Sequence, residues 1–169
     1  MKYILILALS LFSLTTYSQD NETTSEITTY YLIRHAEKDR SDKTDRDPNL
    51  TQAGHERANN WSEVFKHVTF DAVYSTNYNR TKQTATPTAK AQGIELQFYD
   101  PRHLYSEEFA EDTQGKTVLI VGHSNTTPIF VNTILGEQKY QYMDDNDNGS
   151  LFIVTLFDEK KIDQVLHIN

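Results

Sequence analysis

Tyr30-Tyr31-Leu32-Ile33-Arg34-His35-Ala36-Glu37 decides how this chain is read. Four bulky apolar and aromatic residues, the pattern of a buried strand, give way at once to a charged turn. The design recurs in Val118-Leu119-Ile120-Val121-Gly122-His123-Ser124, where a second apolar run delivers a second histidine. In open α/β sheets, ligands gather beyond the carboxyl ends of the strands. Two histidines and an arginine at that edge are suited to attacking and holding a phosphoryl group. Neutral imidazole is a nucleophile near neutral pH, and guanidinium grips phosphate oxygens through paired N–H donors. Arg34 beside His35 disfavours the imidazolium by like-charge repulsion and so favours the attacking form.

Outward from these segments, strand and helix signals alternate. Thr28 to Ile33 reads as the first strand. Lys38 to Asn49 is dense in charge, lacks apolar periodicity and reads as a loop. Thr51 is placed to cap a helix, in which Gly54, Ala58, Trp61 and Phe65 fall at helical spacing. Asp71 to Ser75 reads as a short strand. Asn77 or Asn79 opens a second helix through Ala91, ended by Gly93, with Pro87 expected to kink or split it. Ile94 to Tyr99 reads as a strand and Ser106 to Thr113 as a short helix. Lys116 to Val121 is the most apolar strand and is expected at the sheet centre. Pro128 suits the first turn of a helix to Leu135, stopped by Gly136. Leu151 to Phe157 and Gln164 to Ile168 read as the last strands, with Lys160-Lys161 flanking the turn between them. The pattern predicts an α/β domain over residues 28–169. It has three layers, with a mostly parallel central sheet flanked by helices.

The 169 residues fit one domain. Lys2, the apolar stretch Tyr3 to Leu14 and the small residues Thr16 and Ser18 form a signal-peptide pattern over residues 1–18. Cleavage is expected between Ser18 and Gln19, which implies export to a periplasm or full secretion. The stretch is too short for a membrane-spanning helix, and no later stretch is apolar enough, so no membrane span is expected in the mature chain. Residues 19–27 read as a flexible polar leader. The absence of cysteine excludes disulfides and thiolate metal sites. The formal charge of −8 argues against nucleic acid or anionic lipid as a partner, so an anion site here must concentrate its cations locally.

Arg80 lies in Tyr74-Ser75-Thr76-Asn77-Tyr78-Asn79-Arg80-Thr81-Lys82-Gln83-Thr84, just past a strand and near a helix start, where free N–H groups attract anions. His123 follows Gly122, which lets backbone approach a ligand closely. Taken together, the Arg-His-Ala-Glu segment, the Tyr74 to Thr84 segment and Gly-His-Ser-Asn at Gly122 to Asn125 resemble the histidine phosphatase superfamily, which includes the phosphoglycerate mutases. Pro48-Asn49-Leu50-Thr51-Gln52-Ala53-Gly54 is similar to the stretch that opens that family's first helix. The resemblance runs in family order from Thr28 to about Phe157 and looks most like the short branch of phosphohistidine phosphatases.

That resemblance implies a phosphoglycerate mutase-like fold and a phosphohistidine formed on His35. It implies phosphate-binding roles for Arg34, Arg80 and His123, and a mechanism with no metal and no cofactor. Ala36 stands where glycine is commonest, a form typical of the compact branch. Ser41 stands where many members have an asparagine phosphate contact, with Lys38 and Arg40 the nearby cations that could replace it. For the general acid, Glu37 and Asp100 are rivals: the first follows the nucleophile by two residues, the second ends a strand. The leading expectation is a metal-independent phosphatase acting on a small phosphorylated molecule or a phosphoprotein. A phosphoglycerate mutase-type phosphotransferase and a non-catalytic phosphate-binding module are the alternatives. The short interval between Arg80 and His123 leaves little chain for a lid. Asp144 to Gly149 has the opening of a calcium loop without its closing glutamate, and reads as an acidic turn. His55, His67, His103 and His167 show no ligand spacing.

Overall fold

A computed structural model describes residues 26–168. The expected signal peptide and cleavage point, and most of the expected leader, lie outside them.

The run that opened the reading forms β1 (Thr28–Arg34), inside a six-stranded sheet. Its parallel neighbour is β4 (Thr117–Gly122), the apolar strand expected at the centre. β2 (Ala72–Ser75) and the short β3 (Leu96–Phe98) continue the parallel set beyond β4. On the other side of β1, β5 (Ser150–Phe157) runs antiparallel and pairs with the edge strand β6 (Lys160–His167), giving the order β3-β2-β4-β1-β5-β6. Only β5 opposes the rest, so the expected mostly parallel sheet is observed.

Alternation along β1 and β4 builds two cores. Tyr30, Leu32, Val118 and Ile120 face a layer formed with α4 (Thr126–Leu135), whose Phe130, Val131 and Ile134 are buried there. Phe109 of α3 (Glu107–Thr113) packs against the same cluster. Ile33, Leu119 and Val121 face the opposite layer, with Trp61 of α1 (Gln52–Val64) and Ala85 and Ala89 of α2 (Asn79–Gln92). Helices on both faces of a sheet buried on both sides give the three layers expected.

Local signals set most boundaries. The Thr51 hydroxyl accepts from the Gly54 N–H (3.1 Å) at the start of α1, as its sequence promised. Gly93 and Gly136 end α2 and α4 in the left-handed conformation that glycine adopts without strain. Three expectations need correction. Pro87 does not split α2, which is one continuous helix. Burial of Thr84, Ala85, Thr88 and Ala89 against the sheet and α1 holds it across the missing N–H. Neither Asn77 nor Asn79 caps it; Tyr78 stands at the cap, and Asp47 Oδ1 from the charged loop accepts the Asn79 N–H (2.8 Å). Lys160 and Lys161 lie within β6, the turn being Asp158-Glu159 with Asp158 at φ +53°.

Candidate active site

Strand register makes the site. In the β1–β4 pairing Arg34 stands opposite Gly122, so His35 and His123 leave the sheet side by side. The His35 N–H bonds the Gly122 carbonyl (2.9 Å), and the two imidazole centroids lie 5.5 Å apart. One strand over, Ser75 pairs with Val121 and places Thr76 beside His123. Gly122 is required at this crossing, since a β-carbon there would stand 2.8 Å from Thr127 Oγ1.

A cavity of about 310 Å³ opens at this edge, with Arg34, His35, Arg80 and His123 all in its wall. The four side chains that the sequence scattered over 90 residues therefore meet in one pocket. Lys38 lines it too, whereas Ser41 is exposed and turns its N–H to Asp39. Of the two cations near His35, Lys38 is the one at the pocket; Arg40 bonds Asp145 (2.8 Å).

The tautomer of His35 follows from its partner. Its Nδ1 lies 2.8 Å from the Ala36 carbonyl, which can only accept, so Nδ1 carries the proton and Nε2 carries the lone pair. Burial foremost, then the charges of Arg34, His123 and Arg80, push its pKa down to about 3. His35 is neutral and nucleophilic across the physiological range.

His123 is fixed by a run of hydroxyls. Thr81 Oγ1 donates to the Thr76 carbonyl (2.9 Å), and Thr76 Oγ1 lies 2.9 Å from Thr81 Oγ1 and 2.9 Å from His123 Nε2. With Nε2 tied to the Thr76 hydroxyl, Nδ1 is the ring nitrogen left for a ligand. Burial, then Arg80, Lys38 and Arg34, hold its pKa down at about 4.

The arginines are held by different means. Arg34, 1% exposed, gives Nη1 to the carbonyls of Asp144 (2.8 Å) and Asp147 (3.1 Å), and Nη2 to Asp145 Oδ1 (3.0 Å). Arg80 Nη1 touches Asp47 Oδ1 at 3.5 Å, and its guanidinium lies 4.6 Å from the centre of the Tyr78 ring. The Nε of each arginine is buried with no hydrogen-bond partner. Buried donors without acceptors are costly, and an anion in the pocket would relieve the cost.

The two candidate acids are placed elsewhere. Glu37 does not line the pocket: its Oε1 accepts from Arg57 Nε (2.7 Å), which draws the carboxylate toward α1. Asp100 lies in an adjoining groove, where Arg102 grips it through Nε (2.9 Å) and Nη2 (2.6 Å) and holds its carboxyl far below the usual range. The carboxylate that does line the pocket is Asp145. It belongs to the acidic turn whose spacing suggested a calcium loop. The turn directs its oxygens at Arg34 instead, and Asn148 Nδ2 bonds the His35 carbonyl (2.9 Å). Among the described residues no group of three or more His, Cys, Asp or Glu is placed to hold a metal ion.

A sheet of this order, with two histidines and two arginines at its carboxyl edge, is the arrangement that the sequence resemblance implied. Residues 30–101 match the model of the histidine phosphatase superfamily (branch 1), so this part of the chain is similar to that superfamily. No curated protein matches the chain. Solved structures share the fold. One from Escherichia coli K-12, provisionally named an alpha-ribazole-5'-P phosphatase, has a TM-score of 0.66 and 16% identity, with 83% of this chain and 96% of that chain covered. A second, from Agrobacterium tumefaciens and provisionally named the phosphohistidine phosphatase SixA, has a TM-score of 0.60 and 20% identity, covering 83% and 99%. A mycobacterial glucosyl-3-phosphoglycerate phosphatase in complex with VO3 has a TM-score of 0.62 and 13% identity, covering 78% and 97%.

Proposed function

We propose that this chain hydrolyses phosphomonoesters or phosphohistidine through a phosphohistidine on His35. One observation carries the reading: the unprotonated Nε2 of His35 shares a pocket with two arginines whose buried Nε donors lack acceptors. His35 Nε2 attacks phosphorus, and the bond to the leaving oxygen or nitrogen breaks with its electron pair. Arg34, Arg80 and Lys38 balance the charge on the phosphoryl oxygens, and His123, neutral with its proton on Nδ1, contributes a donor. Water then attacks the phosphohistidine, restoring His35 and releasing phosphate. All positive charge in this scheme comes from side chains, which fits a mechanism without metal.

The test is phosphate release from p-nitrophenyl phosphate by the full chain with chelator present. Activity is expected, together with a transient acid-labile, alkali-stable phosphoenzyme. His35→Ala should lower turnover at least ~10³-fold and abolish the label while leaving the fold intact. Chelator-sensitive turnover, or label retained in His35→Ala, refutes the scheme. Phosphate binding with no turnover on any phosphorylated substrate would make the chain a binding module instead.

A further inference from the structure

Beside the phosphate pocket lies a second, wider groove of about 600 Å³. The two adjoin: Tyr78 and Pro101 line both. Phe98, at the end of β3, lines the groove with 54% of its surface exposed, and Tyr78 is 37% exposed. Large aromatic side chains left open next to a polar pocket mark a surface built to be covered. The one carboxylate in the groove, Asp100, is neutralised by Arg102. The groove therefore offers neither a free cation for a second phosphate or carboxylate nor a proton for a basic leaving group.

Building on the phosphatase reading above, we infer that this groove receives the leaving group of the substrate, and that the leaving group is a planar aromatic ring. Phenols and imidazoles depart without the strong acid an alkoxide requires, so the chemistry matches the arginine-locked carboxylate. Tyr78 is well prepared for contact. Its ring is fixed by the Arg80 guanidinium over it and by the edge of His123, whose centroid is 5.1 Å away, so little side-chain freedom remains to be lost on binding. The site selects aryl phosphates and ring phosphoramidates over sugar phosphates and phosphorylated carboxylic acids.

Binding can be measured without turnover. Calorimetric titration of the full chain with inorganic phosphate, benzylphosphonate and butylphosphonate separates the pocket from the groove. Benzylphosphonate is expected to bind roughly five- to tenfold more tightly than butylphosphonate. Phe98→Ala should reduce that preference to within about twofold and leave inorganic phosphate binding unchanged, which also reports an intact fold; Phe98→Tyr should keep the preference. Equal affinity for the two phosphonates in the wild type, or a preference that survives Phe98→Ala, overturns the inference while the phosphate pocket stands. Failure of inorganic phosphate to bind at all overturns both.

Discussion

At the scale of single residues, chemistry is set by which atom of each imidazole is already committed. His35 offers Nε2 because Nδ1 is tied to a carbonyl, and His123 offers Nδ1 because Nε2 is tied to Thr76. Thr76 is thus a positioning residue. Thr76→Val keeps the shape and removes the hydroxyl, leaving His123 Nε2 buried without a partner. The expected result is a loss of about tenfold in kcat/KM, from a hydrogen bond of about 1.4 kcal/mol. The acid limb of the kcat/KM profile should shift as well, and Thr76→Ser should restore both. An unchanged pH profile in Thr76→Val would make Thr76 merely structural. The four central residues were legible because Arg34 ends β1, His35 and His123 directly follow β1 and β4, and Arg80 stands in the first turn of the helix after β2, where sequence order predicts position. The rest was not. Whether Glu37 faces the pocket depends on Arg57 twenty positions away, and the grip of Asp145 on Arg34 spans 111 positions. No local pattern carries either.

At the scale of elements, the β1–α1 connection decides how His35 is held. The Thr51 N–H bonds the Glu37 carbonyl (2.8 Å), and α1 passes so close that a β-carbon on Gly54 would lie 2.2 Å from that same oxygen. Gly54→Ala must therefore push α1 and the His35-Ala36-Glu37 turn apart. It should destabilise the fold by about 1–3 kcal/mol and lower kcat more than KM, read by chemical denaturation and steady-state kinetics. Wild-type stability and activity in Gly54→Ala would contradict the contact. Thr51, Gly93 and Gly136 were legible as boundaries because caps are local chemistry. Pro87 and the Lys160-Lys161 pair misled because tertiary burial and cross-strand pairing with β5 outweighed propensity there. β3 is shorter than its alternating pattern because only Leu96 to Phe98 find partners on β2.

At the scale of the whole molecule, a cationic pocket is built inside a chain of net charge −8 by gathering Arg34, Arg80 and Lys38 around two buried imidazoles. That arrangement ties stability to pH. Both histidines have folded pKa values of about 3 and about 4, below the ordinary value of 6.5. Between those values the unfolded chain binds protons that the folded chain refuses, so stability rises with pH. It is full above about pH 6.5 and falls as the pH drops toward 4, by up to about 1.4 kcal/mol per pH unit for each histidine. Asp100 and Asp145, lowered by Arg102 and Arg40, lose their contribution only at more acidic pH, so the two effects separate. Denaturant midpoints at pH 7, 6 and 5 should decline steeply in the wild type and much less in the double variant His35→Gln, His123→Gln. Saturating phosphate should also flatten the wild-type slope, because a bound anion favours the imidazolium of His123. A wild-type slope no steeper than that of the double variant would mean that the imidazoles are not held neutral, and the nucleophile would lose its physical basis.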